Sequence, residues 1–224
     1  PSPASSAGEA AMASAAPSAE ALSAASSGVV DSDGADTAGE GAIISAGLVR
    51  GYSTGAPGSG KSTAGVILAK KMSMAFVDTD VLIQVSEQRT LQQIVDTQGH
   101  RALRRIEEAL LLKLHVRNHV IATGGSAVYS DAAMAHLRSK GWAVFLDADL
   151  ATLQQRVGDF SARGLAKRPD QSFSQLFDER LALYQKHADI TVCCAGMAQE
   201  AVCDQIMSQW EAMNRNSRSS VNDD

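Results

Sequence analysis

Eight consecutive residues, Gly55-Ala-Pro-Gly-Ser-Gly-Lys-Ser62, fill the spacing G-x-x-x-x-G-K-[ST], and Thr63 follows. Glycines let the backbone turn so that successive N–H groups converge on phosphate oxygens. A helix starting at Lys61 adds the positive end of its dipole. In such a cradle Lys61 reaches the β- and γ-phosphates, and the Ser62 hydroxyl ligates Mg²⁺. The chemistry expected here is nucleotide binding, with Gly58, Ser59, Gly60, Lys61, Ser62 and Thr63 as the contacting residues.

A phosphate loop does not name the second substrate, so the acceptor must be sought elsewhere in the chain. Phe76-Val-Asp78-Thr-Asp80 puts two carboxylates just past a short apolar run. In an extended segment, positions i and i+2 point the same way. One carboxylate can then hold a Mg²⁺-bound water, while the other orients or deprotonates an acceptor hydroxyl. The alternative is a capped helix with a first-turn acid, because Val81-Leu-Ile follows. Arg101, Arg104 and Arg105 crowd the start of a helix, where cations oppose the dipole unless an anion binds nearby. They could equally form a solvated face with Glu107 and Glu108 one turn on. Thr123-Gly-Gly-Ser126 follows an apolar run and suits either close approach of a ligand or a tight turn.

The elements that must position these groups follow from hydrophobic patterning. Apolar runs alternate with helical patterns, as in an α/β sheet with crossover helices. Strands are expected near Ile43–Val49, Ala75–Asp78, Val120–Ala122, Ala143–Leu146 and Ile190–Cys193. Helices are expected over Lys61–Met72, Leu91–Asp96, Arg101–Val116, Asp131–Ser139, Leu150–Val157, Ser174–His187 and Ala198–Met213. Leu103, Ile106, Leu110 and Leu114 share one face of the third of these. Arg50-Gly-Tyr-Ser-Thr54 is a weak strand to precede a phosphate loop.

Of the 224 residues, 1–41 are mostly Ala, Ser and Gly without apolar periodicity, and are expected to be a disordered tail. Residues 42–213 are expected to form one domain, and 214–224 a second frayed end. Six acids and no base precede Arg50, leaving the remainder of a net −5 chain close to neutral. A near-neutral body argues against nucleic acid as partner, and no apolar run is long enough for a membrane span. Three late cysteines, Cys193, Cys194 and Cys203, make no disulfide framework and fit a reducing compartment. His115 and His119 stand four apart, but Asn118 lies between them and no third metal ligand is at hand; they suit exposed helix ends. Met72, Met74, Met134, Met197, Met207 and Met213 suit core filling. The tail lacks both the basic and the apolar regions of a secretory signal. A cytoplasmic protein is expected, or a plastid stromal one if a transit peptide is missing from a eukaryotic fragment.

Taken in order, the phosphate loop, Asp78-Thr-Asp80, Leu103-Arg-Arg-Ile-Glu-Glu108, Thr123-Gly-Gly125 and Arg180-Leu-Ala-Leu-Tyr184 followed by Ala188-Asp189 form one pattern. It resembles the shikimate kinases, small P-loop proteins of the nucleoside-monophosphate-kinase group, over roughly Gly55 to Trp210. The resemblance implies a P-loop three-layer α/β sandwich with a five-stranded parallel sheet in the order 2-3-1-4-5 and a mobile lid. It implies ATP-dependent phosphorylation of the 3-hydroxyl of shikimate, on the route to chorismate and the aromatic amino acids, by a monomer. Asp80, Arg104, Gly125 and Arg180 would hold shikimate, the two arginines gripping its carboxylate. Ser62 and Asp78 would serve Mg²⁺, and Arg156 would stack on the adenine. Catalysis would rest on Lys61, Asp80 and a lid arginine touching the transferring phosphate.

The chain departs from the family pattern at three places. Ser126 stands where a third glycine is usual, Leu103 where Phe is usual, and Asp159–Asp170 where the lid usually reads Arg-Pro-Leu-Leu. Spacing from Arg156 and from Arg180 selects Arg163 as the lid arginine, whereas the Arg168-Pro169 dipeptide selects Arg168. The two agreeing spacings favour Arg163. Two other functions fit the same motifs: a related kinase for another small hydroxy-acid, or a catalytically silent binding protein. Intact Lys61, Ser62 and Asp78 speak against silence.

Overall fold

The computed structural model of the chain describes residues 48–50, 58–157 and 164–219, with backbone alone for 48–50, 157 and 216–219. Among the described residues, strands alternate with helices in the order β1 (Leu48–Arg50), α1 (Lys61–Lys71), β2 (Ala75–Asp78), α2 (Thr79–Glu87), α3 (Leu91–Gln98), α4 (His100–Lys113) and β3 (His119–Ala122). A 3₁₀ turn (Ala127–Tyr129) follows, then α5 (Asp131–Arg138), β4 (Gly141–Asp147), α6 (Leu150–Val157), α7 (Phe173–His187), β5 (Ile190–Cys193) and α8 (Gln199–Ser219). All strand pairs are parallel, with Phe76 opposite Val120, Leu48 opposite Gly141 and Val144 opposite Ile190. Hydrogen bonds group them as β2-β3 and β1-β4-β5, and β1 lies against β3.

The β3 and β4 sequences are apolar at consecutive positions because both faces are covered, whereas β5 buries only Ile190 and Val192. Val120, Val144 and Leu146 face one core with Leu68 of α1 and Val202 and Ile206 of α8. Their neighbours Ile121, Ala143 and Phe145 face the opposite core with Leu111 of α4, Met134 and Leu137 of α5 and Tyr184 of α7. Period-two alternation thus divides β3 and β4 between two helical layers. A third cluster joins Ile83 of α2, Ile94 of α3, and Leu103 and Leu110 of α4 with Ala166. It is the platform beside the cavity described below. Met134 is buried in the second core, and Met72, Met74, Met197, Met207 and Met213 pack against the first, as expected.

Several expectations need correction. Asp80 is not in an extended segment: α2 begins at Thr79, and Asp78 is its N-cap. Asp78 Oδ1 accepts the N–H groups of Asp80 at 2.9 Å and Val81 at 3.3 Å, so capping wins over further extension. The described part of the first strand is Leu48–Arg50, while 43–47 and Gly55–Pro57 lie outside the described residues. The last helix continues to Ser219 rather than stopping at Met213; no Gly or Pro interrupts it, and Arg215 meets Glu211 one turn earlier at 3.8 Å. The tail 1–41 and residues 159–163 of the lid segment also lie outside the described residues. His115 packs edge-on against His136, with ring centres 5.3 Å apart. Cys193 is exposed while Cys194 and Cys203 are buried, all as free thiols. Among the described residues no helix is long and apolar enough to cross a membrane.

Candidate active site

The ends of β2 and β3 and the start of α1 open onto a cavity of about 670 Å³. Its wall includes Gly58, Gly60, Lys61, Ser62 and Thr63 of the phosphate loop, Asp78 and Asp80, Thr123 to Ser126, Arg156 and Arg180. Ser59, expected beside them, is buried rather than on this wall. The cavity also touches Gly164, Leu165 and Ala166, within the segment 159–170 expected as the lid. The sites read separately from the sequence therefore converge on one space.

Its nucleotide side is built by α1 meeting β2. The Ser62 hydroxyl donates to Asp78 Oδ2 at 2.6 Å, while Asp78 Oδ1 is occupied by the α2 cap. These two hard oxygen donors at the cavity edge fit the preference of Mg²⁺. Burial lowers the Lys61 ammonium below the ordinary lysine range, and the carboxylates of Asp80 and Asp78 oppose that fall. Burial likewise raises the Asp80 carboxyl, Lys61 opposes the rise, and the Asp78 charge adds to it. Arg156, exposed at the end of α6, reaches the Cys194 carbonyl at 3.4 Å.

The far side is built by α4, α7 and the loop after β3. Arg180 is 3% exposed. Its Nη2 donates to the Ala166 carbonyl at 3.0 Å, and Arg104 Nη2 donates to the same oxygen at 3.1 Å. The Nε atoms of both arginines are buried with no protein partner. A buried cation, Arg180, and a half-buried one, Arg104, share one neutral acceptor and have capacity left for an anion. Arg104 is not part of the cavity wall itself; Arg101 and Arg105 are exposed. The solvated-face alternative does not form, because Glu107 and Glu108 accept from Ser126 and Ser130 instead. Gly124 donates its N–H to Thr79 Oγ1 at 3.2 Å, and the Gly125 carbonyl accepts from Tyr184. A Cβ at Gly124 would strike the carboxylates of Glu107 and Asp80, so glycine is required there by close approach.

Of the two rival lid arginines, Arg168 pairs with Glu179 at 3.3 Å and is off the cavity wall. Arg163 lies outside the described residues. Sequence reasoning missed Glu107, which is 2% exposed and lines the cavity. Burial raises its carboxyl to about 7, with the Asp80 charge adding and the Ser126 hydrogen bond opposing. A signal was present: Glu107 falls on the apolar stripe of α4 between Leu103 and Leu110, where a carboxyl has no solvent to face. Ser126, where the family pattern has glycine, is engaged by donating its hydroxyl to Glu107.

Comparison with known proteins adds an independent line. The family model described as shikimate kinase matches residues 57–211. A shikimate kinase from Aquifex aeolicus is 34% identical over 161 residues, covering 71% of this chain and 95% of the relative. One from Vibrio parahaemolyticus is 32% identical over 163 residues, with 71% and 95% covered. Among solved structures, the Aquifex aeolicus shikimate kinase superposes with a TM-score of 0.62 at 32% identity, covering 74% of this chain and 95% of that one. A shikimate kinase from Acinetobacter baumannii in complex with shikimate superposes with a TM-score of 0.64 at 25% identity, covering 74% and 94%.

Proposed function

The chain belongs to the shikimate kinase family, and from that premise we propose that it transfers the γ-phosphoryl group of ATP to the 3-hydroxyl of shikimate. The observation that carries the reading is a single cavity whose wall joins a phosphate loop to Arg180, with Arg104 bonded to the same Ala166 carbonyl behind it. A site with a triphosphate cradle at one end and two guanidinium groups, one buried and one half-buried, at the other suits a kinase for a small hydroxy-acid.

In this reading Gly58, Ser59, Gly60, Lys61, Ser62 and Thr63 hold the phosphates, and Arg156 stacks on the adenine. Ser62 and Asp78 would hold Mg²⁺, which supplies neutralisation of phosphate charge when bound. Asp80 orients the attacking hydroxyl, and its raised pKa brings it nearer the range of a useful base. Arg104, Arg180 and Gly125 hold the acceptor; Lys61 and the lid Arg163 stabilise charge as it moves onto the leaving and transferring groups. The engagement of Arg168 by Glu179 supports Arg163 for the lid. The pairings β2-β3 and β1-β4-β5, with β1 against β3, fit one sheet in the order 2-3-1-4-5. The kinase domain starts near residue 42 and extends past 213 to the end of α8 at Ser219, a monomer suffices because one chain supplies every role, and free thiols fit a reducing compartment such as the cytoplasm.

The test is ADP release from MgATP with and without shikimate, in wild type and Arg180→Ala. Wild type should release ADP only when shikimate is present. The variant should show a Michaelis constant for shikimate raised roughly ten- to a hundred-fold, with that for ATP changed little. No shikimate-dependent ADP release at millimolar acceptor would overturn the proposal.

A further inference from the structure

Tyr129 ends the 3₁₀ turn directly after the Gly124-Gly125-Ser126 wall of the cavity. Its ring lies under the acceptor-side arginines: the guanidinium carbon of Arg104 is 3.5 Å from the ring centre, and that of Arg180 is 5.5 Å away. The ring is itself anchored, because its hydroxyl donates to Glu179 Oε1 at 2.6 Å. Glu179 is held in turn by Gln171 at 2.7 Å and by Arg168 at 3.3 Å, both on the segment leading from the lid to α7.

Two guanidinium groups bonded to one carbonyl repel each other, and the negative face of an aromatic ring offsets that repulsion. A guanidinium lying on a ring also keeps its donors in the plane parallel to it. The side chain is then ordered before a ligand arrives, so less entropy is lost on binding. A planar carboxylate gains from that plane; an acceptor without an acid group does not.

We propose that Tyr129 is a positioning residue that sets acceptor specificity for a carboxylate, by fixing the plane of Arg104 beside Arg180. The inference rests on the reading of these two arginines as the grip on the acid group of shikimate.

Two variants separate the ring from its hydroxyl. Tyr129→Met keeps bulk and removes the aromatic face, while Tyr129→Phe keeps the face and removes the bond to Glu179. In initial-rate assays with MgATP, the Met variant should raise KM for shikimate roughly 3- to 30-fold. Its kcat and its KM for ATP should stay within about twofold of wild type. The Phe variant should keep KM for shikimate within about threefold. The proposal is overturned by a Met variant with wild-type KM for shikimate, by a parallel rise in KM for ATP, or by a Phe variant as impaired as the Met variant. A Met variant without a cooperative melt overturns it too, since the ring would then serve the core rather than Arg104. Wild type inactive on shikimate would instead bring down the underlying reading, and the proposal with it.

Discussion

Glu107 is a cavity residue whose chemistry burial has altered. Its carboxyl titrates at about 7 rather than at the ordinary 4.5, chiefly through burial. A raised folded pKa means that the native protein holds more protons than the unfolded chain between those values. Stability therefore falls as pH rises through that window, and the full penalty remains above it. Glu107→Gln keeps an acceptor for the Ser126 hydroxyl and abolishes the titration. The variant should gain stability relative to wild type between pH 5 and pH 8.5, by on the order of 2–3 kcal/mol. Thermal melts of both proteins across that range would check this; a difference independent of pH would mean that the carboxyl is not raised. The residue escaped the sequence reading because Arg104, Glu107 and Glu108 share helical spacing with an ordinary solvated ion-pair face. Asp78, Asp80, Gly125 and Arg180 were legible because each belongs to a motif with its own spacing. Ser126 looked like a threat to the acceptor site, yet its hydroxyl is spent on Glu107.

At the scale of elements, the segment leaving the lid is pinned to the start of α3. The Gly164 N–H donates to Gln92 Oε1 at 2.6 Å, and its φ of 58° is left-handed. A Cβ there would run into the backbone of Leu91 and Gln92. Two residues on, Ala166 presents the carbonyl shared by Arg104 and Arg180. Gly164→Ala should cost roughly 1–3 kcal/mol from strain and overlap. The same shift should loosen both arginines and raise KM for shikimate. Melting temperature and initial rates would measure both; a variant unchanged in both would show that this pinning positions nothing. The strands were readable from the sequence because burial on two faces leaves unbroken apolar runs, as in Ala143-Val-Phe-Leu146. Helix α2 was legible only as the alternative, a capped helix before Val81-Leu-Ile, because Asp78 both caps the helix and lines the cavity. Gly164 carried no signal, since a glycine in an unusual lid sequence does not reveal which backbone it must approach.

For the whole molecule, the distribution of charge bears directly on function. Six of the acidic residues precede Arg50, and the rest of the chain is close to neutral. Binding of two anionic substrates must then come from local cations, Lys61, Arg104, Arg156 and Arg180, rather than from a general positive field. These residues come from α1, α4, α6 and α7. Only the folded chain brings Lys61, Arg156 and Arg180 round one cavity at the carboxyl ends of the strands, with Arg104 behind its wall. The expected order 2-3-1-4-5 came from family resemblance, because hydrophobic pattern says where strands are but not which are neighbours; the described strands pair as β2-β3 and β1-β4-β5. The most direct test of the central claim is a phosphorus–proton correlation NMR spectrum of the product formed from MgATP and shikimate. The expected spectrum has one new phosphate monoester coupled to the proton on carbon 3 of shikimate, formed in step with ADP. Free phosphate beside unchanged shikimate, or a phosphate coupled at another carbon, would contradict the assignment.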